Sequence, residues 1–293
     1  MFPKIEKYRR THRDDFLFSI LIPTWNNLEY LKLCVESITK NSAYKHQIIV
    51  MVNEGRDGSL EWVKSLDYVD FVYCSENLGI CYGLNACRSL IATQYVLYAN
   101  DDMYFAPDWD VSLYEEIKKI GHPYFLLSGT MVERLGNNPC CVIADYGDSA
   151  ATFREDDFKR DIPKLKRGNW AGSTWPPSIT SLDVWDLIGG MSIEFSPGMY
   201  SDPDMAMKMW IAGVRVFQGI GDSLVYHFGC KSTKRIKRNK GQYTFLRKWK
   251  MSAGLLFSHY LRRGENLPMP LPEPKKINPG RRLKERWKRL ING

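Results

Sequence analysis

The stretch Tyr95-Val96-Leu97-Tyr98-Ala99-Asn100-Asp101-Asp102 limits what this chain can fold into more than any other. An apolar run without alternation stops at two adjacent carboxylates, and Met103-Tyr104-Phe105-Ala106-Pro107 follows. Such a run suits a strand buried on both faces of a parallel sheet. The two Asp residues then stand at the C-terminal edge of that sheet, where open α/β sheets bind their ligands. Two like charges there repel one another unless something cationic arrives. A divalent cation carrying a diphosphate answers that need, because hard cations prefer carboxylate oxygens. An ordinary turn, which Asn and Asp also favour, is the competing account.

Upstream, strand and helix patterns alternate. A strand is expected over 16–22, closed by Pro23-Thr24-Trp25-Asn26-Asn27, and Leu28, Leu31, Val35 and Ile38 then recur at helical spacing. A second strand over 47–52 runs into the turn Asn53-Glu54-Gly55-Arg56-Asp57-Gly58-Ser59. A helix through Leu60, Val63 and Leu66 follows, then a strand over 70–74 and a helix over 82–92 opened by Asn77-Leu78-Gly79. This β-α-β-α-β-α-β order predicts an α/β fold with a parallel sheet, every strand ending in a polar cluster on the same edge.

In that order, Ile22-Pro23-Thr24-Trp25-Asn26, Val52-Asn53-Glu54-Gly55, Asn77-Leu78-Gly79 with Asn85, and Asn100-Asp101-Asp102 resemble family 2 glycosyltransferases of the GT-A fold. The resemblance covers about residues 16–230. It implies a Rossmann-like, mostly parallel central sheet flanked by helices, and a metal-dependent, inverting transfer from a nucleotide-diphosphate sugar. It implies that Pro23, Thr24, Glu54 and Asp57 hold the base and ribose, with Asn77, Gly79 and Asn85 on the same donor side. Asn100-Asp101-Asp102 matches the family's Asp-x-Asp element, with Asn100 where the first Asp is usual. By that match Asp102 ligates Mn2+ or Mg2+, and Asp101 contacts the ribose or the metal. Pro23-Thr24 as a strand terminator and Asn85 as helix packing are the bland alternatives. UDP is favoured because Glu54 can accept from a uracil N3–H; dTDP presents the same edge, and GDP stays open.

Further on, helices are expected over 109–120, capped by Asp108, and over 153–165, with strands over 124–128 and 141–144. Trp170 and Trp175 flank a small-residue loop and suit either a sugar-binding wall on the acceptor side or plain core. Ser201-Asp202-Pro203-Asp204 resembles the family's acidic element at the start of a helix, with Ser201 where Glu is common. The resemblance makes Asp202 the general base and Asp204 its neighbouring partner. The same residues read equally as a helix start, whose N-terminus would favour an ionised carboxylate. Two strands, 214–217 and 223–226, bracket Gly219-Ile220-Gly221, and His227 follows them. A lone His there is usually structural; the family resemblance implies a metal or diphosphate ligand.

The chain of 293 residues is 44% apolar and 13% aromatic, enough for one large core. Its net charge of +8 is unevenly placed: residues 231–293 hold 19 Lys/Arg against 3 Asp/Glu, so the body before them is acidic. That segment suits an anionic surface. The expected division is an arm (1–15) and a transferase-like domain (16–230, with a nucleotide-sugar half to 107 and an acceptor half from 108). A basic loop and helix (231–262) and a Pro-rich linker with a basic amphipathic tail (263–293) complete it. The run 231–240 is either a lid over the diphosphate or a solvated loop. A single amphipathic helix is expected over 243–261.

Seven cysteines without metal-ligand spacing, and no apolar leader at residues 1–7, point to a reducing, cytoplasmic setting with peripheral contact to an anionic membrane. The expected activity is transfer of a sugar to a hydroxyl of a glycan or lipid-linked acceptor. A nucleotidyltransferase fits less well, because Pro23-Thr24-Trp25-Asn26-Asn27 lacks a Gly-rich, basic phosphate loop. The alternatives are a catalytically inactive sugar-binding relative, or a membrane- or nucleic-acid-binding protein acting through the tail. The acidic body argues against nucleic acid.

Overall fold

The computed structural model describes residues 4–10, 15–229 and 240–292. The basic run over 231–239 lies outside them, and with it the expectation of a lid or loop there. Among the described residues eleven strands form one sheet: β1 (Ile5–Tyr8), β2 (Ser19–Trp25), β3 (Gln47–Asn53), β4 (Val69–Cys74), β5 (Tyr95–Tyr98), β6 (Met103–Phe105), β7 (Phe125–Glu133), β8 (Val142–Ile143), β9 (Trp170–Ala171), β10 (Ser178–Ser181) and β11 (Val216–His227). Around it run α1 (Leu28–Asn41), α2 (Ser59–Ser65), α3 (Gly79–Cys87), α4 (Trp109–Ile120), α5 (Glu155–Leu165), α6 (Leu182–Leu187), α7 (Ser201–Ile211), α8 (Gly241–Trp249), α9 (Ala253–Leu255) and α10 (Pro279–Asn292).

The spatial order is β1-β4-β3-β2-β5-β10-β7-β11-β6, with β8 beside β7 and β9 beside β11. The run β4-β3-β2-β5 is parallel throughout. β10 runs against both β5 and β7, and β7 and β11 are parallel to each other. Successive side chains of a strand face opposite ways, so an unbroken apolar run feeds two cores. Ile20, Ile22, Ile48 and Val50 pack with Leu31, Val35 and Ile38 of α1 on one side. Leu21, Ile49 and Met51 pack with Cys81 and Leu84 of α3 on the other.

Several expectations are corrected. Residues 5–8 are an edge strand antiparallel to β4 rather than a loose arm; their polar faces hid it from a hydrophobic pattern. Pro23 and Thr24 belong to β2 rather than ending it. The expected strands at 214–217 and 223–226 are one strand, β11, with a register irregularity between Ile220 and Leu224. Lys250, in a left-handed turn at φ +57, breaks the expected helix over 243–261. Asp108 precedes α4 at φ +58 without a side-chain cap bond.

The Pro-rich segment is not a spacer. Leu271, almost fully buried, shares the second core with Phe245, Leu256 and Leu261, and its N–H donates to the Arg215 carbonyl at 2.8 Å. Leu271→Ala should therefore cost about 2–4 kcal/mol in chemical denaturation, whereas a spacer position would lose less than about 0.5 kcal/mol.

Candidate active site

At the sheet edge Asp101 and Asp102 are 5% and 4% exposed. Burying two neighbouring carboxylates is costly unless each has a partner. For Asp101 it is the Thr24 hydroxyl, which donates to Oδ2 at 2.7 Å from the end of β2. The neighbouring Asn53 links the turns, donating to the Thr24 carbonyl and accepting from the Leu78 N–H.

Asp102 is served by strand register. β6 and β11 pair so that His227 lies opposite Met103, and the Phe228 N–H donates to the Asp102 carbonyl at 3.1 Å. β7 and β11 pair so that His227 lies beside Glu133. The imidazole therefore sits between two carboxylates: Nδ1 is 2.7 Å from Glu133 Oε1, and Nε2 is 3.4 Å from Asp102 Oδ1. A proton on Nδ1 shared with Glu133 leaves the Nε2 lone pair aimed at Asp102. The 3.4 Å gap is long for a hydrogen bond but suits two donors to one cation, and a carboxylate behind a metal-binding His is a recurrent support. Among the described residues no group of three or more His, Cys, Asp or Glu is arranged around a metal ion. Two protein donors are what a Mn2+ or Mg2+ ion carried on a diphosphate requires, the phosphates and water supplying the rest. The residues present fit that ion.

Asp202 reaches the same space from the first turn of α7. It caps nothing, since the N-cap is Tyr200 in a left-handed conformation at φ +70. Burial raises its carboxyl from the ordinary 3.8 to about 7. Desolvation favours the protonated carboxyl, the opposite direction to the ionised form expected at a helix N-terminus. With Asp101, Asp102 and His227 it lines a cavity of about 500 Å³, whose wall includes Thr24, Asn77, Gly79, Tyr98, Trp175 and Phe257. Gly79 cannot be replaced by a larger residue without strain. Its φ is +72, and a Cβ would lie 2.6 Å from Pro197 Cα.

Other expected site residues are engaged elsewhere. Asp57 spends both oxygens on Leu28 and Ser59, holding the starts of α1 and α2. Asn85 grips the Met191 backbone in both directions at 2.8 Å. Trp170 is core: it donates to Thr130 and packs so tightly on Gly219 that a Cβ there would meet its ring at 1.8 Å. Asp204 is fully buried, accepting from Trp249 Nε1 and pairing with Lys248. Glu54 stands beside the cavity rather than in its lining, its Oε2 taking a hydrogen bond from Asn26. Glu133, Asn53, Tyr98 and Phe257 were not foreseen. Of these only Asn53 carried a signal, as the first residue of the polar turn that ends the second strand.

Residues 19–134 match the family model described as Glycosyl transferase family 2. Over 107 residues, 35% of this chain, the sequence is 30% identical to "Glycosyltransferase GlyA" of Streptococcus pneumoniae serotype 4. The similarity to glycosyl transferase family 2 is thus carried by residues 19–134. The chain spans only 15% of GlyA. Among solved structures it resembles S. aureus TarS 1–349 in complex with UDP (TM-score 0.52, 12% identity, 72% of this chain and 60% of that one). It also resembles GalNAc-T7 with UDP, GalNAc and Mn2+ (TM-score 0.55, 12% identity, 80% of this chain and 48% of that one). These likenesses show the fold: α/β, with the central sheet of GT-A glycosyltransferases flanked by helices.

The matched segment, 19–134, supplies Thr24, Asn53, Asp101, Asp102 and Glu133, while Asp202 and His227 come from beyond it. A carboxyl held near 7 destabilises the fold as pH rises from about 4, its unfolded value, through about 7, because the native state must give up a proton it prefers to keep. Asp202→Asn, which cannot ionise, should melt above the natural protein at about pH 8, the difference vanishing below about pH 4. Thermal unfolding across that range measures it; a constant offset at every pH contradicts a raised carboxyl.

Proposed function

We propose that the protein is an inverting glycosyltransferase that moves a sugar from a nucleotide-diphosphate sugar, UDP-linked by preference, to a hydroxyl of a glycan or lipid-linked acceptor. One observation carries the reading: Asp101, Asp102 and His227 from the sheet edge and Asp202 from α7 open into a single cavity. The family match over 19–134 and the UDP complexes of TarS and GalNAc-T7, which share the fold, support the donor class. The Mn2+ in the GalNAc-T7 complex supports a divalent ion.

On this reading Thr24 holds Asp101 toward the ribose, and Glu54, which follows β3 beside the cavity, would exchange its hydrogen bond from Asn26 for one from the uracil N3–H. Asp102 Oδ1 and His227 Nε2 would hold Mn2+ or Mg2+, with Glu133 fixing the imidazole tautomer. Such an ion supplies positive charge beside the diphosphate leaving group. Asp202 takes the proton of the acceptor hydroxyl as it attacks the anomeric carbon from the face opposite that group. A base with a pKa of about 7 is ionised often enough at neutral pH to act, yet binds the proton firmly when it does. Trp175 and Phe257 offer flat apolar faces to the acceptor.

The test pairs binding with turnover. UDP with Mn2+ should raise the melting temperature, and Asp102→Ala should abolish the metal-dependent part. Asp202→Asn should keep the UDP shift while lowering kcat about 10²–10⁴-fold. No shift with any nucleotide diphosphate, with or without metal, overturns the donor reading; full turnover in Asp202→Asn overturns the base.

A further inference from the structure

Helix α10 is turned the wrong way round for a surface helix. An amphipathic helix normally lays its apolar stripe on the core. Here Leu283, Trp287 and Leu290, spaced i, i+4, i+7 on one face, are 56%, 57% and 79% exposed. What faces the protein is Glu285, 7% exposed, two positions or about 200° around the helix from Leu283. Its carboxylate accepts from the Ser252 N–H at 2.7 Å and the Ser252 hydroxyl at 2.9 Å, at the start of α9. Lys288 adds a bond to the same hydroxyl, and Arg281 pairs with Ser258. A polar clamp thus fixes the helix with its apolar stripe outward.

The surroundings of that stripe say what covers it. Arg281, Arg282, Lys284, Arg286, Lys288 and Arg289 share the helix with one acid, Glu285, which the clamp consumes. Arg282, Lys284 and Arg286 are exposed beside the stripe. A second copy offering the same face would set cation against cation. An anionic lipid surface meets both halves at once: acyl chains take Leu and Trp at the headgroup boundary, and phosphates take the flanking bases.

We propose that α10 is an in-plane anchor that docks the protein on anionic lipid. Its clamp joins it to the segment carrying Phe257, a wall residue of the cavity, so a docked α10 holds that cavity close to the lipid surface. The anchor does not depend on the donor reading.

Flotation of the full chain with vesicles of phosphatidylcholine, alone or with about 30 mol % phosphatidylglycerol, tests it. The protein should float with the anionic vesicles only, and less as salt rises. Leu283→Ser/Trp287→Ser/Leu290→Ser should lower partitioning at least about tenfold, with an unchanged melting temperature because the three side chains are exposed. Arg282→Ala/Lys284→Ala/Arg286→Ala should also weaken it. No flotation, equal flotation on neutral lipid, or flotation that survives the serine substitutions, carried by 231–239 instead, overturns the anchor. A UDP shift retained in the serine variant separates this result from the donor reading.

Discussion

Two adjacent carboxylates buried at the end of a central strand are the constraint on which the sheet edge depends. Asp101 and Asp102 are nearly sealed from water, and their mutual repulsion is met by two different devices. Asp101 accepts from Thr24, a neutral donor fixed by its strand. Asp102 faces an imidazole whose far nitrogen is held by Glu133. Asp202, in the same cavity, has neither device, and burial alone raises its affinity for a proton. Environment thus divides the carboxylates into acceptors of fixed partners and one group able to exchange a proton near neutrality.

The geometry is assembled by register rather than by sequence proximity. Asp102, Glu133 and His227 come from three segments, and meet because β11 pairs with β6 on one side and β7 on the other. A one-residue slip in either pairing would turn His227 to the opposite face. The other wall is braced from outside: Asp204, buried in α7, is tied to Trp249 and Lys248 of α8, and Lys248 also reaches Glu194. The segment after residue 240 is therefore part of the frame around Asp202, and through Phe257 part of the cavity itself.

The parallel half of the sheet was legible because strands buried on both faces leave unbroken apolar runs, and Leu31, Val35 and Ile38 show which face of α1 they meet. The edge strand β1 left no such trace, being wet on both faces. Asn85 and Asp57 have the side chains of ligand-binding residues, and only coordinates reveal that Met191, Leu28 and Ser59 occupy them. Glu133 escaped because its role depends on a strand pairing with residues almost a hundred positions away. The clamp on α10 was hidden for a related reason. A periodic pattern shows that Leu283, Trp287 and Leu290 share a face, and says nothing about which face the body takes.

The sparseness of the proposed ion site has an energetic consequence. One carboxylate oxygen and one imidazole nitrogen leave most positions around Mn2+ or Mg2+ to water or phosphate, so the ion alone would be held weakly. A nucleotide diphosphate that brings its own oxygens raises the ion's affinity, and the ion must raise the nucleotide's by the same factor, because the coupling free energy is shared. Glu133, which also lines the cavity, enters this balance through the imidazole it holds. On the proposed reading, by accepting the Nδ1 proton of the neutral His227 ring it would select the tautomer whose Nε2 carries the lone pair, and would make that nitrogen a more basic ligand. On that reading the long-range pairing of β7 with β11, which brings Glu133 beside His227, is as much a part of the ion site as the two residues that would hold the ion.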